Sequence, residues 1–172
     1  MKNLRQYIRD VPNFPRAGVV FRDITPLLAN GNAFHDVVDR LAEPYRGRVD
    51  TVLGIESRGF LFGAAVAYAL GAGLAVVRKQ GKLPSSTFTA EYALEYGRDA
   101  LEIHRDAFGH PSRVLIVDDL LATGGTARAA IELVARVDGQ VVACAFVIEL
   151  SALKGREQLR PHEVFSLVHY AG

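Results

Sequence analysis

Cysteine occurs once in the chain, at Cys144, so no disulfide can form within it. A lone cysteine in the apolar run VVACAFVIEL suits a reducing compartment and reads as a small buried hydrophobe. Neither sign of charge predominates, because 20 basic against 19 acidic residues leave a formal net charge of +1. That balance offers no broad footprint for nucleic acid or a membrane surface, so any bound anion must be met by a local cluster. Long apolar runs are missing too: Arg58 and several glycines interrupt the richest one short of the ~18 residues of a membrane span. The amino-terminal MKNLRQYIRD is charged and lacks the apolar core of a signal peptide, and a cytoplasmic protein is the expectation. No Pro/Gly/Ser-rich linker divides the 172 residues, so one domain over 1–172 is expected. His35, His104, His110, His162 and His169 are scattered without the spacing of a metal cage.

What is present is a rhythm of short apolar runs and helical stripes. Asn32 can cap a helix whose Phe34, Val37, Val38, Leu41 and Ala42 follow helical spacing up to Pro44. TVLGI (51–55), GFLFGAAVAYALG (59–71) and LAVVRK (74–79) read as strand, helix, strand. The Gly59/Gly63 pair in that helix suits close packing of helix on sheet. A second unit follows: RVLIVDD (113–119), a helix with a stripe of Ala127, Ala130, Ile131, Val134 and Ala135, and the strand QVVACAFVIEL. Apolar runs without clean alternation mark strands covered on both faces, hence an α/β fold with a mostly parallel sheet flanked by helices. Ser85 to His104 alternates more freely and reads as a hairpin or a long flap projecting from the sheet.

The chemistry concentrates in VLIVDDLLATGGT, Val114 to Thr126. Gly124 and Gly125 open backbone conformations in which successive N–H groups converge on a phosphate, and the helix start adds partial positive charge. The hydroxyls of Thr123 and Thr126 can donate further hydrogen bonds. Asp118 and Asp119 lie towards the carboxyl end of the strand, where open α/β sheets bind ligands, and carboxylates there can accept from vicinal sugar hydroxyls. A sugar phosphate satisfies both halves of the motif; the plainer alternative is a strand-to-helix turn with Asp and Thr as caps. The run is neither a Walker A loop nor a dinucleotide fingerprint.

This run resembles the phosphoribosyl-pyrophosphate signature of the type I phosphoribosyltransferases. FPRAGVVFRDITPLL (14–28), ESRGFLFG (56–63), RKQGKLP (78–84), LEYG (94–97) and the segment 150–156 are similar, in order, to the adenine-specific branch of that family. The resemblance implies the family fold with a small hood and a flexible flap at about 81–96. It implies an enzyme of purine salvage that condenses adenine with 5-phosphoribosyl 1-pyrophosphate to AMP and pyrophosphate.

By that resemblance, Ala122, Thr123, Gly124, Gly125 and Thr126 hold the 5′-phosphate, and Asp118 and Asp119 face the ribose. Arg58, Arg78, Lys79 and Lys82 meet the pyrophosphate, although RKQGK alone would read as a solvated turn. Gln80 stands where relatives often carry Pro or a basic residue. Val20, Phe21 and Arg22 form the base pocket, the Phe21 ring stacking on the purine and main-chain atoms reading its edge, with Leu150 on the other side. Glu95 is the acid/base group, because ribosyl transfer through an oxocarbenium-like state needs a proton managed at the nucleophilic purine. Magnesium is expected on the pyrophosphate oxygens and water, with no metal ligand from protein side chains. A homodimer is implied, with Arg78 reaching towards the neighbouring subunit. The flap would exclude water from the reacting ribosyl group. Alternatives are a sibling transferase for xanthine, hypoxanthine or orotate, and a nucleic-acid-binding regulator built on the same fold, against which the near-neutral charge counts.

Overall fold

The computed structural model describes residues 3–93, 98–109 and 112–171. Two antiparallel strands, β1 (Arg9–Pro12) and β2 (Val20–Asp23), make a small layer of their own, joined through α1 (Thr25–Ala29) to α2 (Gly31–Ala42). The central sheet collects β3 (Thr51–Ile55), β4 (Gly73–Lys79), β5 (Thr87–Ala93), β6 (Arg98–His104), β7 (Ser112–Leu121), β8 (Gly139–Leu150) and β9 (Glu163–Tyr170). Their order is β5-β6-β4-β3-β7-β8-β9; the five strands from β4 to β9 run parallel, and β5 and β6 are added antiparallel at one edge. Helices α3 (Arg58–Leu70) and α4 (Gly125–Arg136) are the two crossovers, and α5 (Gly155–Gln158) is a single turn before β9.

Each crossover helix covers its own apolar cluster. Phe62, Val66 and Ala67 of α3 join Leu115 and Val117 of β7 in one, and Ala127, Ala130 and Val134 of α4 join Val114 and Ile116 in the other. Alternate residues of β7 thus serve opposite faces, which is why the run VLIV is apolar throughout. The α4 stripe differs from the expected one at three places: Ala129 and Leu133 are buried, while Ala135 is exposed. Asn30, and not Asn32, caps α2, its side chain accepting from Ala33 N at 3.0 Å. The helix begins two residues earlier than a cap at Asn32 would have it, and Asn32 is exposed on its first turn.

Gly59 and Gly63 do bring α3 against the sheet. A Cβ at Gly59 would stand 2.7 Å from Asp118 Oδ1 and 2.9 Å from Val117 O, and one at Gly63 would stand 3.1 Å from Gly54 Cα. The freely alternating segment is the β5–β6 hairpin, paired from Thr87↔His104 to Ala93↔Arg98.

Strand order reverses between β3 and β7, since β3 feeds α3 and β4 on one side and β7 feeds α4 and β8 on the other. Open α/β sheets carry their ligand crevice at the carboxyl ends of the strands flanking such a point. There β7 pairs with β3 only as far as Val117, then continues beside β8 through Leu121↔Glu149. The expected end at Asp119 is therefore two residues short, and Asp118 and Asp119 stand where β3 has already turned away into α3.

Candidate active site

The turn after β7 wraps a concavity of about 70 Å³ lined by Asp118, Ala122, Thr123, Gly124, Gly125 and Thr126 among others. Gly124 makes the turn possible: its φ is +90°, and a Cβ there would sit 2.6 Å from Gly155 O. α4 starts at once on Gly125, so the unsatisfied N–H groups of its first turn open on this concavity.

Beside it lies the acidic pair. Asp119 is 4% exposed and Asp118 partly buried, and Asp118 Oδ1 accepts from Asp119 N at 2.9 Å. Burial raises the pKa of both, and the charge of Asp119 pushes Asp118 well above the ordinary carboxylate range. Arg58 Nε reaches Asp119 Oδ2 at 2.9 Å and opposes the rise there. Its approach is a charge contact without hydrogen-bond alignment, so the buried Oδ2 keeps an unfilled place for a donor.

From Arg58 the site continues to β2. The guanidinium carbon lies 5.0 Å from the centroid of the Phe21 ring, which Phe14 meets edge-on at 5.3 Å. Val20 and Phe14 are exposed at 43% and 51%, large apolar groups left open beside Phe21. Arg22 points elsewhere: its guanidinium pairs with Asp10 at 2.5 Å and stacks on Tyr170 at 3.9 Å, so only its backbone is available on the Phe21 side. Leu150, at the end of β8, is partly buried against the α3-side cluster and opposite Tyr170 in register.

The basic residues of RKQGK do not form one group. Successive strand side chains alternate, so Arg78 and Lys79 leave opposite faces of β4. Arg78 and Lys82 converge on Glu56, with Arg78 Nε at 3.3 Å and Lys82 Nζ at 2.6 Å from its carboxylate, which also accepts from Lys79 N at 2.8 Å. Burial works to raise the Glu56 pKa, but the ammonium, the N–H and the guanidinium outweigh it and hold the group below its ordinary value. Lys79 Nζ instead pairs with Asp99 Oδ2 of β6 at 2.9 Å, to which Tyr92 of β5 also donates at 3.2 Å. Arg58, Arg78, Lys79 and Lys82 each have an acid in contact before any ligand arrives.

Glu56, Asp99 and Tyr92 were not singled out from sequence. The signal for Glu56 was an acid at a parallel-strand terminus among basic neighbours, whereas Asp99 and Tyr92 become visible only through cross-strand register. Glu95 lies outside the described residues, as do its neighbours at 94–97.

A phosphate-sized cup at a helix start, paired carboxylates at the switch point and the Arg58 guanidinium beside them are together what a sugar phosphate demands. Residues 27–170 match the family model described as a phosphoribosyl transferase domain. The chain belongs to the phosphoribosyltransferase family. An adenine phosphoribosyltransferase of Chloroflexus aurantiacus is 55% identical over 170 residues, covering 98% of both chains. The crystal structure of the adenine phosphoribosyltransferase of Thermoanaerobacter pseudethanolicus superposes with a TM-score of 0.94 at 47% identity, over 97% of this chain and 98% of that one. That of Saccharomyces cerevisiae, complexed with D-2,5-dideoxy-2,5-imino-altritol 1,6-bisphosphate and adenine, superposes with a TM-score of 0.90 at 44% identity, over 95% and 96%. The mostly parallel sheet and its flanking helices are thus those of phosphoribosyltransferases.

Proposed function

We propose that this enzyme transfers the phosphoribosyl group of 5-phosphoribosyl 1-pyrophosphate to adenine, giving AMP and pyrophosphate in purine salvage. The observation that carries the reading is the position of Arg58, in contact with Asp119 on one side and the Phe21 ring on the other. It joins a carboxylate suited to ribose hydroxyls to an aromatic platform suited to a flat base. The bond to be made, between C1′ and N9, would lie between those two groups. Full-length similarity to adenine phosphoribosyltransferases, one of them solved with adenine, supports adenine as the base.

In this reading residues 122–126 take the 5′-phosphate through N–H groups and the Thr123 and Thr126 hydroxyls. Asp118 and Asp119 accept from the ribose hydroxyls, with the donor-poor Oδ2 of Asp119 as one acceptor. As the C1′–O bond to pyrophosphate breaks and the C1′–N9 bond forms, positive charge develops on the sugar and negative charge on the leaving group. The carboxylates stabilise the first, and Arg58, Arg78, Lys79 and Lys82 stabilise the second. Val20, Phe21 and Leu150 pack on adenine, and the Arg22 backbone reads its edge while the side chain is held by Asp10 and Tyr170. Glu95 takes the N9 proton. A flap at about 81–96 would cover the ribosyl group against water. Hard phosphate oxygens beside a carboxylate pair suit magnesium, which would neutralise pyrophosphate charge when carried in with the donor. The whole chain acts as one domain.

Among the described residues no helix is long and apolar enough to cross a membrane; with one unpaired cysteine this supports a cytoplasmic setting. The working unit is a homodimer formed through α3, whose Tyr68 and Leu61 are exposed at 91% and 47%.

The test is turnover by purified protein with the donor, Mg²⁺ and each of adenine, hypoxanthine, xanthine and orotate. AMP formation from adenine, at least about tenfold preferred in kcat/KM, is expected. A preference for another base would reassign the acceptor, and binding of nucleic acid with no transfer would replace the enzyme reading by a regulator.

A further inference from the structure

The separation of Arg78 from Lys79 has a counterpart on the hairpin. In register, Lys79 faces Leu101 and Asp99 faces Tyr92, so Lys79, Asp99 and Tyr92 share one sheet face with Val77, Leu101 and Ala90. α4 packs on that face, since Val77, Leu101 and Ala90 belong to its apolar cluster. At the carboxyl end of the face, Asp99 Oδ2 holds the Lys79 ammonium at 2.9 Å and the Tyr92 hydroxyl at 3.2 Å. The Thr126 side chain lies next to the Tyr92 hydroxyl and interacts with it electrostatically. With Thr123 and Gly125, Tyr92 lines a cavity of about 280 Å³ between the hairpin and the phosphate turn. A continuous chain of polar contacts therefore runs from Thr126 through Tyr92 and Asp99 to Lys79.

Both ends of this chain are groups assigned above to the sugar donor. Thr126 has one hydroxyl proton to give, and Lys79 one ammonium. Without ligand, Lys79 is held by the opposite charge of Asp99 and Thr126 lies next to Tyr92, so phosphate oxygens that draw these groups in compete with the hairpin for them. Asp99 also sets a negative charge beside a site built for a polyanion. We propose that Asp99 and Tyr92 set the affinity of the site for the phosphorylated donor by competing with its phosphates for Lys79 and Thr126. They are positioning residues acting through those two groups. The inference rests on the donor reading given above and adds to it a reason why the hairpin lies against the phosphate turn: donor binding exchanges hairpin contacts for phosphate contacts.

The competing interactions are modest. Lys79 is 54% exposed and Asp99 23%, and a part-exposed pair of this kind is worth at most about a few-fold in an equilibrium constant. The test is calorimetric titration of wild type, Asp99→Asn, Tyr92→Phe and the double variant with two probes, magnesium pyrophosphate and ribose 5-phosphate. Asp99→Asn should bind pyrophosphate about two- to fivefold tighter than wild type. Tyr92→Phe, nearly isosteric, should bind ribose 5-phosphate about two- to threefold tighter. The double variant should fall short of the product of the single effects, because both break one network. In steady state the donor KM should fall with the calorimetric constants, while the adenine KM stays within about twofold, since the Phe21 platform shares no partner with this chain.

Unchanged or weaker binding of both probes by both variants overturns the proposal, as does a parallel shift of the adenine KM, which would mean general damage to the fold. The two readings fail separately. AMP synthesis by wild type with unaltered binding by the variants removes only the competition, whereas tighter binding by the variants in a protein that makes no AMP removes only the adenine reading.

Discussion

Asp118 carries a carboxyl group whose pKa is raised well above the ordinary carboxylate value. Its pKa is raised by burial and by the neighbouring charge of Asp119, so the folded state holds a proton there more readily than the unfolded chain does. The linked stability is fully present below the unfolded value of about 3.9 and is lost as pH rises through the folded value. The ionised form of Asp118 is thus a cost to the unliganded fold at neutral pH, which fits the proposed acceptance of ribose hydroxyls by a carboxylate. Asp118→Asn should stabilise the apo protein by about 1–2 kcal/mol at pH 7, with the gain shrinking towards pH 4, as read from urea midpoints at each pH. The same variant should lose ribosyl transfer; an unchanged urea midpoint at pH 7 would contradict the buried-charge account. Glu95 is decided by rate. If it manages the adenine proton, Glu95→Gln should lower kcat by ~10²–10⁴ with little change in melting temperature, and near-normal turnover would remove it from that role. Cys144, whose thiol is pushed up to about 12 by burial, is packing and not chemistry.

At the scale of elements, the site depends on how closely α3 approaches β7. The absent side chain of Gly59 leaves the space in which Asp118 Oδ1 lies, and the next residue back is Arg58 at the first turn of the same helix. Gly59→Ala must therefore push the helix start away from the strand and move Arg58 and Asp118 together. We expect a loss of about 1–3 kcal/mol in stability by thermal unfolding. Donor KM should rise with it, whereas Gly71→Ala at the carboxyl end of α3, strained only by its own positive φ of +64°, should destabilise without touching KM. Equal effects of the two substitutions on KM would show that α3 contributes stability alone. The β5–β6 hairpin is the complementary element: it brings Tyr92 towards the turn that precedes α4, and Arg136 of α4 ties it down by donating to Thr89 O at 2.9 Å.

For the whole molecule the open question is what covers α3. This helix is apolar nearly all round, yet only one side meets the sheet. The other, with Phe34 and Val38 of α2, lines a groove of about 820 Å³ that includes Leu61, Ala65 and Tyr68. A surface of that kind is expensive in water and suits a second copy of the chain. Tyr68→Arg combined with Leu61→Arg should convert the protein to monomer in sedimentation velocity, and turnover should fall if Arg78 acts across the interface. A dimer that survives both substitutions would place the contact elsewhere.

The sequence by itself determined the layer architecture and most element positions, because apolar runs and helical stripes respond to local periodicity and to burial on two faces. It determined the turn between β7 and α4 as well, since glycines, hydroxyls and carboxylates adjacent in the chain stay adjacent in space. Tertiary structure alone decided that Arg58 bridges Asp119 and Phe21, residues far apart along the chain. It decided also that Arg78 and Lys79 belong to opposite faces with different acids. Those facts follow from strand order and cross-strand register, which depend on which segments pair and not on what each segment is. The cap of α2 shows the same division at small scale: an asparagine cap was legible, but whether Asn30 or Asn32 filled it was settled by where α1 delivers the chain.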